Sequence, residues 1–318
     1  MQTQAPTTAD RVRIIETGAH RGLANQARVL PTTVRINLIA LLESAGIREV
    51  EIGSFAPSRQ VPQMADTATL CTLLGTPPID RIRSLWVPDM RGLERAIATG
   101  CRDVTVVSAA SDAYCRANFS CNIAESLRRA DEIAGHALAA GIQVRAALST
   151  AIDCPFDGRV ALSDVTRIVA RFHEMGCREI SLGDTTGSGT PVSVGTLLRA
   201  CATEVPVHHL AAHFHDTFGL AIANVVEALE HGVRAFDSAI SGLGGDAHAP
   251  DAAGSLATED LVYLCTELGI GCGVDLDALL LAADYIDCIL QRKTESRVGR
   301  ALRAKHRQAK GRTGLPTG

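Results

Sequence analysis

DVTVVS (residues 103–108), IAESLRRADEIAGHALAA (123–140) and QVRAAL (143–148), the last two separated by Gly141, hold the pattern that decides the fold. The outer two are short and largely apolar, the first rich in Val, as buried strands are. The middle one is longer, carries a helical pattern and stops at a glycine, the residue that most readily ends a helix. Outward from this unit the same alternation recurs. Candidate strands lie at residues 11–16, 49–53, 81–87, 103–108, 143–148, 179–183, 207–215 and 235–241. Helical patterns lie between them at 32–45, 66–74, 90–99, 123–140, 163–175, 192–203 and 220–230, several ending at Gly46, Gly100, Gly141, Gly176 or Gly232. Alternation at this spacing predicts a parallel sheet of the α/β class, and eight units predict a closed (β/α)8 TIM barrel. A doubly wound open sheet is the competing architecture, but no GxGxxG follows the first strand. Two more helical patterns, 257–268 and 276–290, add C-terminal helices, the second longer than a barrel needs.

Bulk properties set the limits. The chain has 318 residues and 46% hydrophobic content, enough for one large core. A net charge of −4 and only 3% aromatics give no general nucleic-acid surface. Ten cysteines without CxxC spacing read as reduced thiols of a cytoplasmic protein. No segment approaches the roughly 20 apolar residues of a membrane span. Residues 1–10, without a basic residue or an apolar run, read as a frayed, disordered tail. The barrel with its C-terminal helices is assigned to 11–298, and the basic stretch 299–318 to a flexible tail or an extension that meets an anion or a neighbouring subunit.

In a barrel, chemistry sits at the C-terminal ends of the strands. Here those ends carry His20 and Arg21, Glu51, Asp184, and the pair His213 and His215. Two residues apart on a strand, the histidines project to one face and suit a divalent ion such as Mg, Mn or Zn if carboxylates assist. The bland alternative is two hydrogen-bonded histidines in a polar mouth. After the eighth strand, GLGGDAHAP (242–250) is a flexible loop bearing Asp246 and His248, read as an active-site lid with acid–base groups.

These motifs bring a family into view. The chain resembles the 3-hydroxy-3-methylglutaryl-CoA lyase family of barrel metallolyases from about residue 11 to about 298. The likeness rests on Ser54-Phe55 with VPQM (61–64), CPFDG (154–158), EISLGDT (179–185), His213-x-His215-Asp216-Thr217-x-Gly219, LATEDLVY (256–263) and RKT (292–294). It implies retro-Claisen or retro-aldol cleavage of a hydroxyacyl-CoA or related hydroxy acid, or the reverse condensation. CoA is then part of the substrate, Lys293 a candidate for its phosphates, and a homodimer the expected assembly. The resemblance also implies a divalent ion held by an aspartate, the HxH pair and an asparagine, with an arginine beside the aspartate and a cysteine in the loop.

Position by position the match is partial. Glu51, Asp184, His213 and His215 are in place. The arginine position is His20, the metal-aspartate position is Arg21, the loop cysteine is Asp246, and the asparagine ligand is Ser255. Arginine has no acceptor and stays protonated. Its charge about 4 Å from a divalent ion costs about 8 kcal/mol at an effective dielectric of about 20. Two arrangements stay open. In one the ion has moved onto His213, His215, Asp246 and His248, with His20 in reach. In the other no ion is used, and Arg21, paired with Glu51 or Asp184, offers its planar fork to a carboxylate or enolate. His20, Asp246 or the histidine pair then move protons. The contrasting reading is a non-catalytic or regulatory barrel that has lost the metal site.

Overall fold

The computed structural model describes residues 11–247, 249 and 252–313. Eight parallel strands form a closed barrel: β1 (Arg13–Glu16), β2 (Glu49–Ser54), β3 (Ile82–Trp86), β4 (Asp103–Ala109), β5 (Gln143–Ser149), β6 (Glu179–Asp184), β7 (Leu210–Phe214) and β8 (Ala235–Ser238). Closure is made where β1 pairs with β8, from Arg13 opposite Ala235 to Glu16 opposite Ser238. Every residue of β2, β4, β6, β7 and β8 is buried. Helices cover one face and the barrel interior the other, so neither face is left to solvent and even the polar residues of these strands, Glu51 and Asp237 among them, are buried.

The covering helices are α1 (Thr32–Ser44), α2 (Thr67–Leu74), α3 (Met90–Ala98), α4 (Asp112–Phe119), α5 (Ile123–Ala139), α6 (Leu162–Glu174), α7 (Pro191–Cys201) and α8 (Ala221–Glu230). The physics of α5 serves for the set. Asn122 caps it, its side-chain oxygen accepting from the Glu125 N–H at 2.8 Å. Leu127, Ala130, Ile133, Ala134 and Ala137 recur three and four apart and are buried on the barrel. Gly141, at φ +75°, then takes the left-handed turn that stops the helix. Each fully buried large side chain of this layer, Phe172 of α6 among them, contributes roughly 1.5–3 kcal/mol.

Four local differences from the sequence reading have clear causes. Residues 207–209 form a 3-10 turn after Pro206, so β7 begins at Leu210. The last strand stops at Ser238, because the chain turns through Ile240–Gly242 with Ser241 at φ 59°. Helix α4 has no counterpart in the sequence reading; it is short, and Ser111 caps it by accepting from the Tyr114 N–H. Finally, α9 (Thr258–Glu267) and α10 (Leu276–Leu290) are followed by α11 (Arg297–Thr313), a helix where 299–318 reads as a flexible tail. The side chain of Asp260 holds its start, accepting from Ser296 Oγ at 2.6 Å and from the N–H groups of Arg297 and Val298 at 3.1 and 2.9 Å. An anion at a helix N-terminus satisfies donors that have no partner within the helix. α10 lies on α1 and α11 on α9. Residues 1–10, His248 and 314–318 lie outside the described residues. Among the described residues no helix is long and apolar enough to cross a membrane.

Candidate active site

Beyond β1 the chain enters a single π-helical turn, Gly18–Gly22, which carries His20 and Arg21 into the barrel mouth. Such turns are rare and recur at functional sites. Both side chains converge on Glu51 of β2. His20 Nδ1 lies 2.7 Å from Glu51 Oε1, Arg21 Nε donates to the same oxygen at 2.9 Å, and Arg21 Nη2 donates to Oε2 at 3.2 Å. The guanidinium thus grips the carboxylate as a two-pronged fork, while its carbon sits 5.0 Å over the Trp86 ring. Burial alone would raise Glu51; the Arg21 charge and the His20 bond outweigh it and bring the carboxyl down to about 2. Burial likewise opposes the charge on Arg21, but Glu51 and Asp237 outweigh it and the guanidinium is held more firmly protonated.

The third nitrogen of Arg21 faces β7 and β8. Nη1 is 3.4 Å from His213 Nδ1 and 3.3 Å from Asp237 Oδ2. Asp237 is fully buried and also takes Arg145 Nη2 at 2.6 Å and Ser181 Oγ at 2.9 Å. Burial would raise its carboxyl, but Arg145 and Arg21 hold it well below the usual carboxylate range. Arg145 continues the chain of charge to Glu179 through Nε at 2.7 Å. His215 sits beside His213 with ring centroids 5.1 Å apart. Its Nδ1 is 2.9 Å from the Ala253 carbonyl. A carbonyl can only accept, so Nδ1 carries the proton and Nε2 keeps its lone pair. Burial, then the neighbouring His213, lowers His215 to about 4, and burial lowers His213 as well. Both imidazoles are neutral near pH 7.

The glycine-rich loop closes one side. Asn25 Nδ2 bonds the Gly245 carbonyl at 2.7 Å, tying the loop to the segment after β1. Asp246 Oδ2 accepts from the Tyr114 hydroxyl of α4 at 2.5 Å. Burial, then the Asp246 charge, pushes Tyr114 well above its ordinary value, so its proton stays in place. These groups line a cavity of about 510 Å³, which also takes in Trp86, Asn118 and Ser255.

Of the residues picked from the sequence, His20, Arg21, His213, His215 and Asp246 line this cavity. Glu51 lies behind Arg21, bonded to it, and does not line the cavity. Asp184 is turned away from the cavity: its Oδ2 accepts from the Gly189 N–H at 2.9 Å in its own loop, and burial raises it to about 6. Lys293 is exposed in the connection between α10 and α11 and does not line the cavity. His248 lies outside the described residues. Asp237, Arg145, Tyr114 and Trp86 escaped the sequence reading. An acid inside the apolar run of β8 was a usable signal for Asp237; nothing comparable marked Tyr114.

The HMGL-like family model matches residues 11–286. The chain belongs to the HMGL-like family. It is 45% identical over 296 residues to hydroxymethylglutaryl-CoA lyase, mitochondrial, of Rattus norvegicus, covering 93% of this chain and 90% of that one. The crystal structure of hydroxymethylglutaryl-CoA lyase from Pseudomonas aeruginosa superposes with a TM-score of 0.90 at 38% identity, over 93% of this chain and 98% of the other. The structure of an HMG-CoA lyase from Acinetobacter baumannii in complex with coenzyme A and 3-methylmalate gives 0.88 at 30% identity, over 98% of each chain.

The metal site implied by this HMGL-like resemblance can be tested against the donors present. Among the described residues no three His, Cys, Asp or Glu side chains gather as ligands. Two imidazoles and the Ser255 hydroxyl are what the family positions retain. Glu51 is taken by Arg21 and His20, and Asp246 by Tyr114. A guanidinium stands 3.4 Å from the ring nitrogen of His213. A hard divalent ion needs anionic oxygen donors and no cation at its elbow. This donor set does not fit one.

Proposed function

We propose that this HMGL-like chain is a carbon–carbon lyase that cleaves a hydroxyacyl-CoA or related hydroxy acid by a retro-aldol (retro-Claisen) step, or runs the reverse condensation. The observation that carries the reading is the meeting, at the C-terminal mouth of a family barrel, of one fixed cation, two neutral imidazoles and a loop carboxylate around one cavity. The roles follow from their chemistry. An imidazole with an open lone pair takes the substrate hydroxyl proton, and the hydroxyl carbon becomes a carbonyl. The electron pair of the broken C–C bond passes to the adjacent carbon and its thioester as an enolate. The Arg21 guanidinium stabilises the oxygen on which that charge collects. The imidazolium so formed holds the proton that must go back to carbon, and the Asp246 carboxylate, bonded to Tyr114 on the loop side, accepts that proton and relays it to the enolate carbon.

The solved relative with coenzyme A and 3-methylmalate supports an acyl-CoA or a small hydroxy acid as the substrate class. Lys293, two residues from Glu295, whose N–H bonds the Ser241 carbonyl at the base of the loop, is available to CoA phosphates. Ten free cysteines suit a reducing, cytoplasmic setting. The test is a panel of 3-hydroxyacyl-CoA substrates assayed for the shorter acyl-CoA and the carbonyl product. Cleavage of at least one is expected, and Asp246→Ala lowers kcat roughly 10²–10⁴-fold. Absence of turnover across the panel in both directions would defeat the proposal.

A further inference from the structure

We infer that Arg21 stands in place of the family's divalent cation and that this site does its chemistry without a metal; the inference rests on the lyase reading only for the reaction it serves. Four observations carry it. The guanidinium is held from two sides, by the Glu51 fork and by the Trp86 ring. Its remaining nitrogen stands 3.4 Å from His213 Nδ1, so a positive charge already sits against the histidine pair. Among the described residues, Glu51 is committed to His20 and Arg21, Asp237 to Arg145, Ser181 and Arg21, and Asp246 to Tyr114. And Ser255, bridged to His215 through the backbone, offers a neutral hydroxyl at a position the family uses as a ligand.

The consequence concerns what the site recognises. A divalent ion can take several oxygen ligands at once. A guanidinium binds one planar anion, a carboxylate or an enolate, edge-on. Arg21 Nη1 is the hydrogen-bonding corner nearest the histidines, and it fixes that anion beside the imidazole that takes the proton. The charge is permanent, where a bound ion exchanges with solvent, so the site is always armed.

The experiment needs no substrate and therefore fails separately from the lyase reading. The chain is dialysed against chelator and titrated with Mn²⁺, following the free-ion signal by electron paramagnetic resonance. The wild-type protein is expected to leave the signal of free Mn²⁺ undiminished. The double variant Arg21→Asp/Ser255→Asn, checked for folding by circular dichroism, is expected to bind one equivalent, lost again on adding His213→Ala and His215→Ala. Stoichiometric binding by the wild type that vanishes in His213→Ala/His215→Ala would overturn the inference. So would a folded double variant that binds nothing, since Arg21 and Ser255 would not then be what excludes the ion. Should the double variant not fold, the wild-type titration still decides. Absence of lyase turnover with no Mn²⁺ binding would leave the inference standing and sink only the reaction assigned to the site.

Discussion

A single guanidinium organises the strand side of this barrel's mouth. Arg21 bonds Glu51, faces His213 and Asp237, and lies over Trp86. Arg21→Lys keeps the charge but loses the fork, since an ammonium cannot grip both carboxylate oxygens in one plane. Roughly a 10²–10³-fold drop in kcat is expected for it, as for loss of an oxyanion-binding donor. Wild-type turnover in that variant would show that charge alone suffices. Tyr114→Phe removes the hydroxyl that holds Asp246 at 2.5 Å. It is expected to lower kcat while sparing thermal stability, because the change exposes no new surface and leaves Asp246 at the open mouth. A lowered melting temperature with unchanged kcat would make Tyr114 structural. Deeper down, Arg145 joins Glu179 and Asp237 with its side chain 2% exposed. Arg145→Met leaves buried carboxylates short of a partner and is expected to cost about 3–5 kcal/mol, read by urea unfolding; a loss too small to measure would show that Arg13 and Arg21 suffice as partners.

At the scale of elements, the strands were legible because they are short, largely apolar segments fenced by helices, several of which end in glycine. The site was legible only where a residue's own strand decides its direction. His213 and His215 share a face by simple alternation, and they meet as expected. Asp237 stands beside His213 because β8 pairs with β7 in that register, and register between strands is not written in either one alone. Asp184 sits at a strand end as a catalytic acid would, yet its carboxylate turns into its own loop to take the Gly189 N–H. Tyr114 arrives on a helix whose short polar stretch announces nothing. The glycine-rich loop was read as mobile, and its base is packed closely: a Cβ on Gly254 would collide with the Gly242 carbonyl oxygen, while Gly242 itself needs φ +65°. Gly254→Ala should therefore cost roughly 1–3 kcal/mol and lower activity through displacement of Asp246. Undiminished melting temperature and kcat would show that the loop opens freely there.

Across the whole molecule, two fully buried carboxyls tie barrel to appendage. Glu16 at the end of β1 accepts from the Gly18 and Ile240 N–H groups, and burial raises it to about 7. Glu259 of α9 accepts from the Ser241 N–H, and burial raises it to about 8. From an ordinary value of 4.5 up to those values, the folded chain holds protons that the unfolded chain has released. Stability contributed by the pair is therefore full below about 4.5, falls as pH rises, and levels off above about 8. Thermal unfolding should show a melting temperature that declines between these limits, and a shallower decline in Glu259→Gln. A melting temperature that rises over the same interval would mean both carboxyls are ionised in the fold.

The architecture and the chemistry meet in the proposal that a family barrel cleaves its substrate with a guanidinium where a metal is expected. The most direct measurement is the steady-state cleavage rate of the best 3-hydroxyacyl-CoA substrate, for wild type and Arg21→Met, with and without chelator. The account predicts a wild-type rate indifferent to chelator and to added Mn²⁺, and a loss of roughly 10²-fold or more in Arg21→Met. A wild-type rate abolished by chelator and restored by Mn²⁺, or an Arg21→Met variant as fast as wild type, would contradict it.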